Sequence, residues 1–305
     1  MEENKMNYMD MIQSIYSSVG VVVPTIIQLL VQSVIVSIFL RNNISTKEFE
    51  TIKAGQLNEA LTQLLNSGKM TYTELYKANN FLSIAKIADE KYCKKKEYNS
   101  NTVYDFDWFI NYYENVGNVS DEIMQDIWAR ILAQEVDEPN SISIKTLNIL
   151  KSIGKKEALL FQKLSDFALK YNDAYFIPNI QEYLDKNNIE YSDILLLDEY
   201  GLINNNPLIG LNFIVDKEYV LITNSDNMGI VVRSEEDNER KMTFNCYTYT
   251  SSGNAINKAL GIKVDNEKLF QFANIIKNNW KNIIVEVKKY KIINGKKEFG
   301  DNVIF

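Results

Sequence analysis

Histidine, the side chain most often recruited for proton transfer, is missing from all 305 residues. Without an imidazole the chain lacks the commonest general base and the commonest metal ligand near neutral pH. The two cysteines, Cys93 and Cys246, lie about 150 residues apart with no C-x-x-C pair, so neither a zinc site nor a disulfide framework follows from them. Carboxylates recur in short runs, at Asp105/Asp107, Glu135/Asp137/Glu138 and Glu235/Glu236/Asp237. Metal-assisted phosphate chemistry needs carboxylates converging from separated elements, whereas runs within one stretch are ordinarily solvated. There is no glycine-rich phosphate loop, nucleophile elbow or zinc helix. These residues predict a protein that binds rather than catalyses, with no enzyme activity, no metal and no cofactor.

The composition narrows the partners. A net charge of −7 argues against a general nucleic-acid binder, which needs a basic footprint to displace counterions from phosphates. Hydrophobic content of 46% with 24% charged residues is that of a globular chain. Only 4 prolines and 12 glycines interrupt it, which favours long helices, and the cysteine usage suits a reduced, cytoplasmic setting.

One segment stands apart. Asp10 and Arg41 bracket 30 residues without a charge, 11–40. At 1.5 Å rise per residue, roughly 20 helical residues cross a hydrocarbon core, so the run is long enough to span. Its acidic leader, Met1-Glu2-Glu3-Asn4, is unlike a signal peptide. At 100° per residue, Ser14, Ser17, Ser18, Thr25, Gln28 and Gln32 fall within an arc of about 100° on one helix face. In lipid such a stripe turns toward other helices, where glutamine amides hydrogen-bond between chains. The segment therefore predicts an oligomerising, membrane-inserted helix with membrane lipid and further copies of itself as partners. The other reading is a long core helix, split by Pro24, whose polar stripe faces solvent. Arg41, Lys47 and Lys53 follow the run, and the positive-inside bias places the body on the cytoplasmic side of the inner membrane. If the run is instead buried in the protein's own core, the whole chain is cytoplasmic.

The remaining sequence reads as helices and a smaller mixed part. Capping boxes at Ser45–Glu48 and Thr71–Glu74 open a helical hairpin over 45–98. Its end, Lys91, Lys94, Lys95 and Lys96, is a candidate lipid-facing basic cluster, or else a solvated helix end suited to the dipole. An aromatic helix near 105–113 and a stripe of Ile123, Ile127, Trp128, Ile131 and Leu132 start a helical domain over 99–172, in which 155–171 is expected to be helical throughout. Within 173–305, helices at 180–187 and 192–200, then strands at 208–215 and 219–223 expected to pair, read as a winged helix. Its would-be recognition helix carries Asp193, Asp198 and Glu199 with no Lys or Arg, so protein rather than DNA is its expected partner. A basic hairpin at 283–299, turned at Asn294-Gly295, carries Lys288, Lys289, Lys291, Lys296 and Lys297. The expected fold is mainly α with a smaller α+β part: residues 1–44 a hydrophobic helix, then a helical bundle, then a winged-helix-like domain with β-hairpins.

The stretch V-S-D-E-I-M-Q-D-I-W-A-R-I-L-A at 119–133, with S-I-S-I-K-T-L-N-I-L at 141–150, E-A-L-L-F at 157–161 and T-E-L-Y-K-A-N-N-F-L at 73–82, resembles a bacterial group akin to the abortive-infection alpha proteins. The resemblance covers roughly 45–205 and brings no catalytic residues. It implies a role in defence against phage, with a phage or host protein as trigger. Combined with the uncharged run, it predicts a membrane-associated oligomeric effector. The alternative is a soluble adaptor that docks protein partners through the winged helix.

Overall fold

The computed structural model describes residues 66, 71–93, 105–172, 174–206, 210–215, 218–223, 228–236, 239–262, 265–293 and 296–303. The chain divides into two compact units, Met1–Lys151 and Ser152–Phe305.

In the first unit, α1 (Tyr72–Ile87) runs into a π-helical turn, Ala88–Tyr92, closed by the Cys93 N–H donating to the Ala88 carbonyl at 2.9 Å. Next come α2 (Phe106–Val116), α3 (Glu122–Asp137) and α4 (Ile144–Ser152). Aspartates start two of these helices. Asp105 accepts from the Asp107 and Trp108 amides, and Asp121 from those of Ile123 and Met124, satisfying donors that a helix start leaves open. The stripe on α3 is the core face, with Ile127, Trp128, Ile131 and Leu132 all buried. Trp108 stacks on Tyr112 at 5.1 Å, and Tyr112 meets Trp128 edge-on at 5.6 Å while its hydroxyl donates to the Trp128 carbonyl. Phe81 of α1 packs edge-on against Phe109 and Tyr113 of α2. Phe81, Trp108, Phe109, Tyr112 and Trp128 are thus core.

The second unit is built on an antiparallel sheet of nine strands: β1 (Leu169–Tyr171), β2 (Ala174–Pro178), β3 (Ile203–Asn204), β4 (Gly210–Val215), β5 (Val220–Thr223), β6 (Met228–Ser234), β7 (Arg240–Tyr249), β8 (Ile283–Ile293) and β9 (Lys296–Val303). Their order is β3-β7-β2-β1-β5-β6-β8-β9, with β4 also paired to β7. Five helices accompany them: α5 (Lys155–Ser165), α6 (Gln181–Lys186), α7 (Tyr191–Glu199), α8 (Ser251–Leu260) and α9 (Asn266–Asn279). α9 packs along β6 and β8, and its Phe272, fully buried, meets the rings of Phe176, Tyr183 and Phe244 at 5.4–6.1 Å. The alternate residues Leu221, Val231 and Tyr290 form a second small cluster against Phe299.

This architecture corrects the expectation of a mainly helical chain ending in a winged helix. The two strands expected to pair as the wing do not pair with each other: β4 pairs with β7, and β5 lies between β1 and β6. The helix expected over 155–171 stops at Ser165, and 169–171 is instead a strand that turns into β2 with Tyr171 opposite Ala174. β6 was not anticipated at all, and it is the strand that joins the hairpin of β8 and β9 to the rest. The hydrophobic helix expected in residues 1–44 lies outside the described residues. Among those described, no helix is long and apolar enough to cross a membrane.

Candidate interaction sites

The π-helical turn brings Tyr92 and Lys91 onto α3. The Tyr92 hydroxyl donates a short hydrogen bond to the Asp126 carboxylate, whose other oxygen accepts from Arg130 Nε at 3.0 Å. The guanidinium of Arg130 lies 4.2 Å over the Tyr92 ring, and Lys91 Nζ comes within 3.8 Å of Asp126. Burial works against the Asp126 charge, but the Tyr92 and Arg130 hydrogen bonds and the positive charges of Arg130 and Lys91 outweigh it, and its pKa is lowered. Burial, followed by the bond to Asp126, pushes the Tyr92 phenol up. The cluster ties the π-helical turn after α1 to α3. Lys91 of the expected lipid-facing cluster is engaged here, while Lys94, Lys95 and Lys96 lie outside the described residues, as do Ser14, Ser18, Thr25, Gln28 and Gln32.

One carboxylate of each run, Asp105, Glu135 and Glu236, is part of the framework. Glu135, at 5% exposure, accepts from the amides of Asn140 at 2.6 Å and Ile142 at 2.9 Å and clamps the loop between α3 and α4. Asn140 takes a left-handed φ of 66° in that loop, a conformation asparagine tolerates. Burial raises the Glu135 pKa, and the loop amides only partly offset it. Asp105 is a helix cap, and Glu236 accepts from Asn282 at 2.6 Å. Among the described residues, no group of three or more His, Cys, Asp or Glu side chains is placed to hold a metal ion. Cys246 is a buried thiol pushed up to about 11 by burial, and it is therefore protonated and inert at neutral pH.

On the second unit the outward features are sheet edges. Among the described residues β8 pairs with β6 as far as Lys289, and Lys291–Ile293 pair with β9 alone. Ile292 is 64% exposed there, between the exposed Lys291 and the neighbouring Ile293. Lys288 of the basic hairpin is engaged instead with Glu286 at 3.1 Å, beside Asn302, which donates to the same carboxylate at 2.7 Å. At the other margin, β3 and β4 share one side of β7. The sequence reading missed β1 and β6. An Asn-Asp turn after Tyr171 and the β-branched run Ile230-Val231-Val232 were the available signals.

Residues 66–272 match a family of proteins of unknown function, DUF2806, and the chain belongs to that family. The match begins just before α1 and ends within α9, so it includes β4 and β7 but not β8 and β9. No curated protein matches the chain, and no solved structure does.

Proposed function

We propose that this protein works by assembly and partner binding rather than by catalysis, as an oligomeric anti-phage effector held at the bacterial inner membrane by residues 11–40. The observation that carries the reading is how the buried and half-buried ionisable groups are used. Glu135 holds a loop, Asp126 with Tyr92 holds a helix end, Tyr112 and Tyr183 donate to the Trp128 and Phe167 carbonyls, and Tyr249 pairs with Ser165. At active sites such groups, with shifted pKa values, more often converge on a cleft. Among the described residues these groups serve the fold, which supports surfaces as the working parts. Support for the membrane comes from the 30-residue uncharged run, and for phage defence from the resemblance over 45–205.

A charge in mid-span costs roughly 2.5–3.5 kcal/mol of insertion free energy. Val31→Arg is therefore expected to move the full chain from carbonate-washed membranes to the supernatant and to abolish protection of cells challenged with phage. Wild-type protein already in the supernatant, or cells no better protected than those without it, would overturn the reading. The first of those results would return an unanchored adaptor.

A further inference from the structure

The two margins of the sheet follow opposite rules. β9 opens with Lys296 and Lys297 and carries Glu298 and Asp301 further on. Its pairing with β8 slips: Phe299 faces Tyr290 but Asn302 faces Lys288, so two residues, Gly300 and Asp301, share one position opposite Lys289. Charges, lysine above all, and a bulge are the usual means of keeping an edge strand from pairing with a stranger. β4 has neither. Gly210–Val215 contains no charge and no proline, and it pairs with β7 without a slip from Gly210↔Asn245 to Val215↔Arg240. Its outward Ile214 is 60% exposed. Among the described residues, nothing pairs with the outer side of β4.

We infer that β4 is a self-pairing edge: the β4 of a second copy of this chain adds to it antiparallel, about a two-fold axis, making one sheet across two molecules. This rests on the assembly reading above and names the surface that serves it. The choice of a second copy follows from charge and symmetry. At −7 each, two copies repel, so a close seam is cheapest where neither brings a charge. A two-fold seam also requires a strand that complements itself. In an antiparallel pair, facing residues share a face. With Phe213 opposite the Phe213 of the second copy, Leu211 faces Val215 on the inner side, apolar against apolar. On the outer side Asn212 faces Ile214, and the two exposed Ile214 side chains become diagonal neighbours, about 7–8 Å apart and within reach of each other. The Asn212 carboxamide already accepts from Thr243 Oγ1 at 2.8 Å, which fixes it along the seam.

The test uses the full chain in detergent, with light scattering to read its mass. Wild type is expected to be a dimer or a multiple of one. Ile214→Lys, at an exposed site, is expected to weaken association by about tenfold or more while the circular dichroism spectrum of the folded chain is unchanged. Chains bearing Asn212→Cys mixed with chains bearing Ile214→Cys are expected to cross-link on mild oxidation, because directly facing residues lie about 4.5–5.5 Å apart, within disulfide reach. A Lys297→Cys chain, on the defended edge, is expected to stay uncross-linked. Wild type that is monomeric would sink the assembly reading and this inference with it. Wild type that assembles, with neither Ile214→Lys nor the cysteine mixture having any effect, would sink the β4 seam alone. Unchanged assembly together with loss of some other bound protein would assign the edge to a foreign chain and would equally overturn the inference.

Discussion

Asp126 and Glu135 belong to the same helix, yet their surroundings move them in opposite directions. For Asp126 the folded pKa lies below its ordinary 3.8, so its contribution to stability is complete above that value and disappears as pH falls through the lowered one. Glu135 is raised above its ordinary 4.5, so its contribution is complete below that value and is lost as pH rises through the raised one. Melting temperatures of Asp126→Asn and Glu135→Gln, followed from pH 3 to 7 against wild type, therefore give gaps that change with opposite slopes. The Asp126→Asn gap closes toward acid. The Glu135→Gln gap narrows toward neutrality onto a constant offset, because glutamine keeps one acceptor oxygen but turns a donor toward the loop amides. Slopes of the same sign would contradict the two environments described.

At the scale of elements, one tight junction is where the start of α8 meets the Gly201-Leu202 turn ahead of β3. Thr250 caps α8 through the Gly253 amide and also donates to the Gly201 carbonyl at 2.6 Å. A Cβ on Gly253 would collide with the Leu202 carbonyl oxygen, backbone that cannot step aside. Gly253→Ala is expected to cost about 1–3 kcal/mol, read as a lowered urea midpoint with an unchanged slope. Most helices were legible because caps such as Asp105 and Asp121, and stripes such as Ile127-Trp128-Ile131-Leu132, are local signals. The sheet was not. β7 pairs with β2, β3 and β4, drawn from residues 174–215, and nothing in the Met242–Tyr249 run states which strands it will choose. Reading 208–215 and 219–223 as a hairpin followed the rule that sequence neighbours pair, and here tertiary context overrode it. The candidate sites divide the same way. The lysine cluster was visible, but the partner of Lys91, Asp126, comes from another helix. The undefended edge exists only once β4 is known to lie at a margin.

For the molecule as a whole, the proposed effector role makes the polar face of residues 11–40 matter more than their overall hydrophobicity. On that proposal, replacing Gln28 and Gln32 together by leucine is expected to improve insertion of a more apolar segment while removing the proposed interhelical hydrogen bonds, worth about 0.6 kcal/mol each and at most 1–2 in lipid. Cells producing wild type are then expected to depolarise on phage challenge, and cells producing the double variant to retain the protein in washed membranes without depolarising. Equal depolarisation by both would separate the span from the lesion and leave it as an anchor only.

The position of β6 in the chain has a consequence for how the molecule is made. Its second neighbour, β8, begins at Ile283, whereas β6 ends at Ser234. At about 5–20 residues per second, a ribosome takes several seconds to cover that interval. Throughout it the nascent chain carries Ile230, Val231 and Val232 with one flank unsealed. Biogenesis therefore has a vulnerable interval of its own, in which a chaperone that holds apolar strands has something to hold and crowded nascent chains have something to share. It closes only when Val285 and Val287 arrive opposite Val232 and Ile230.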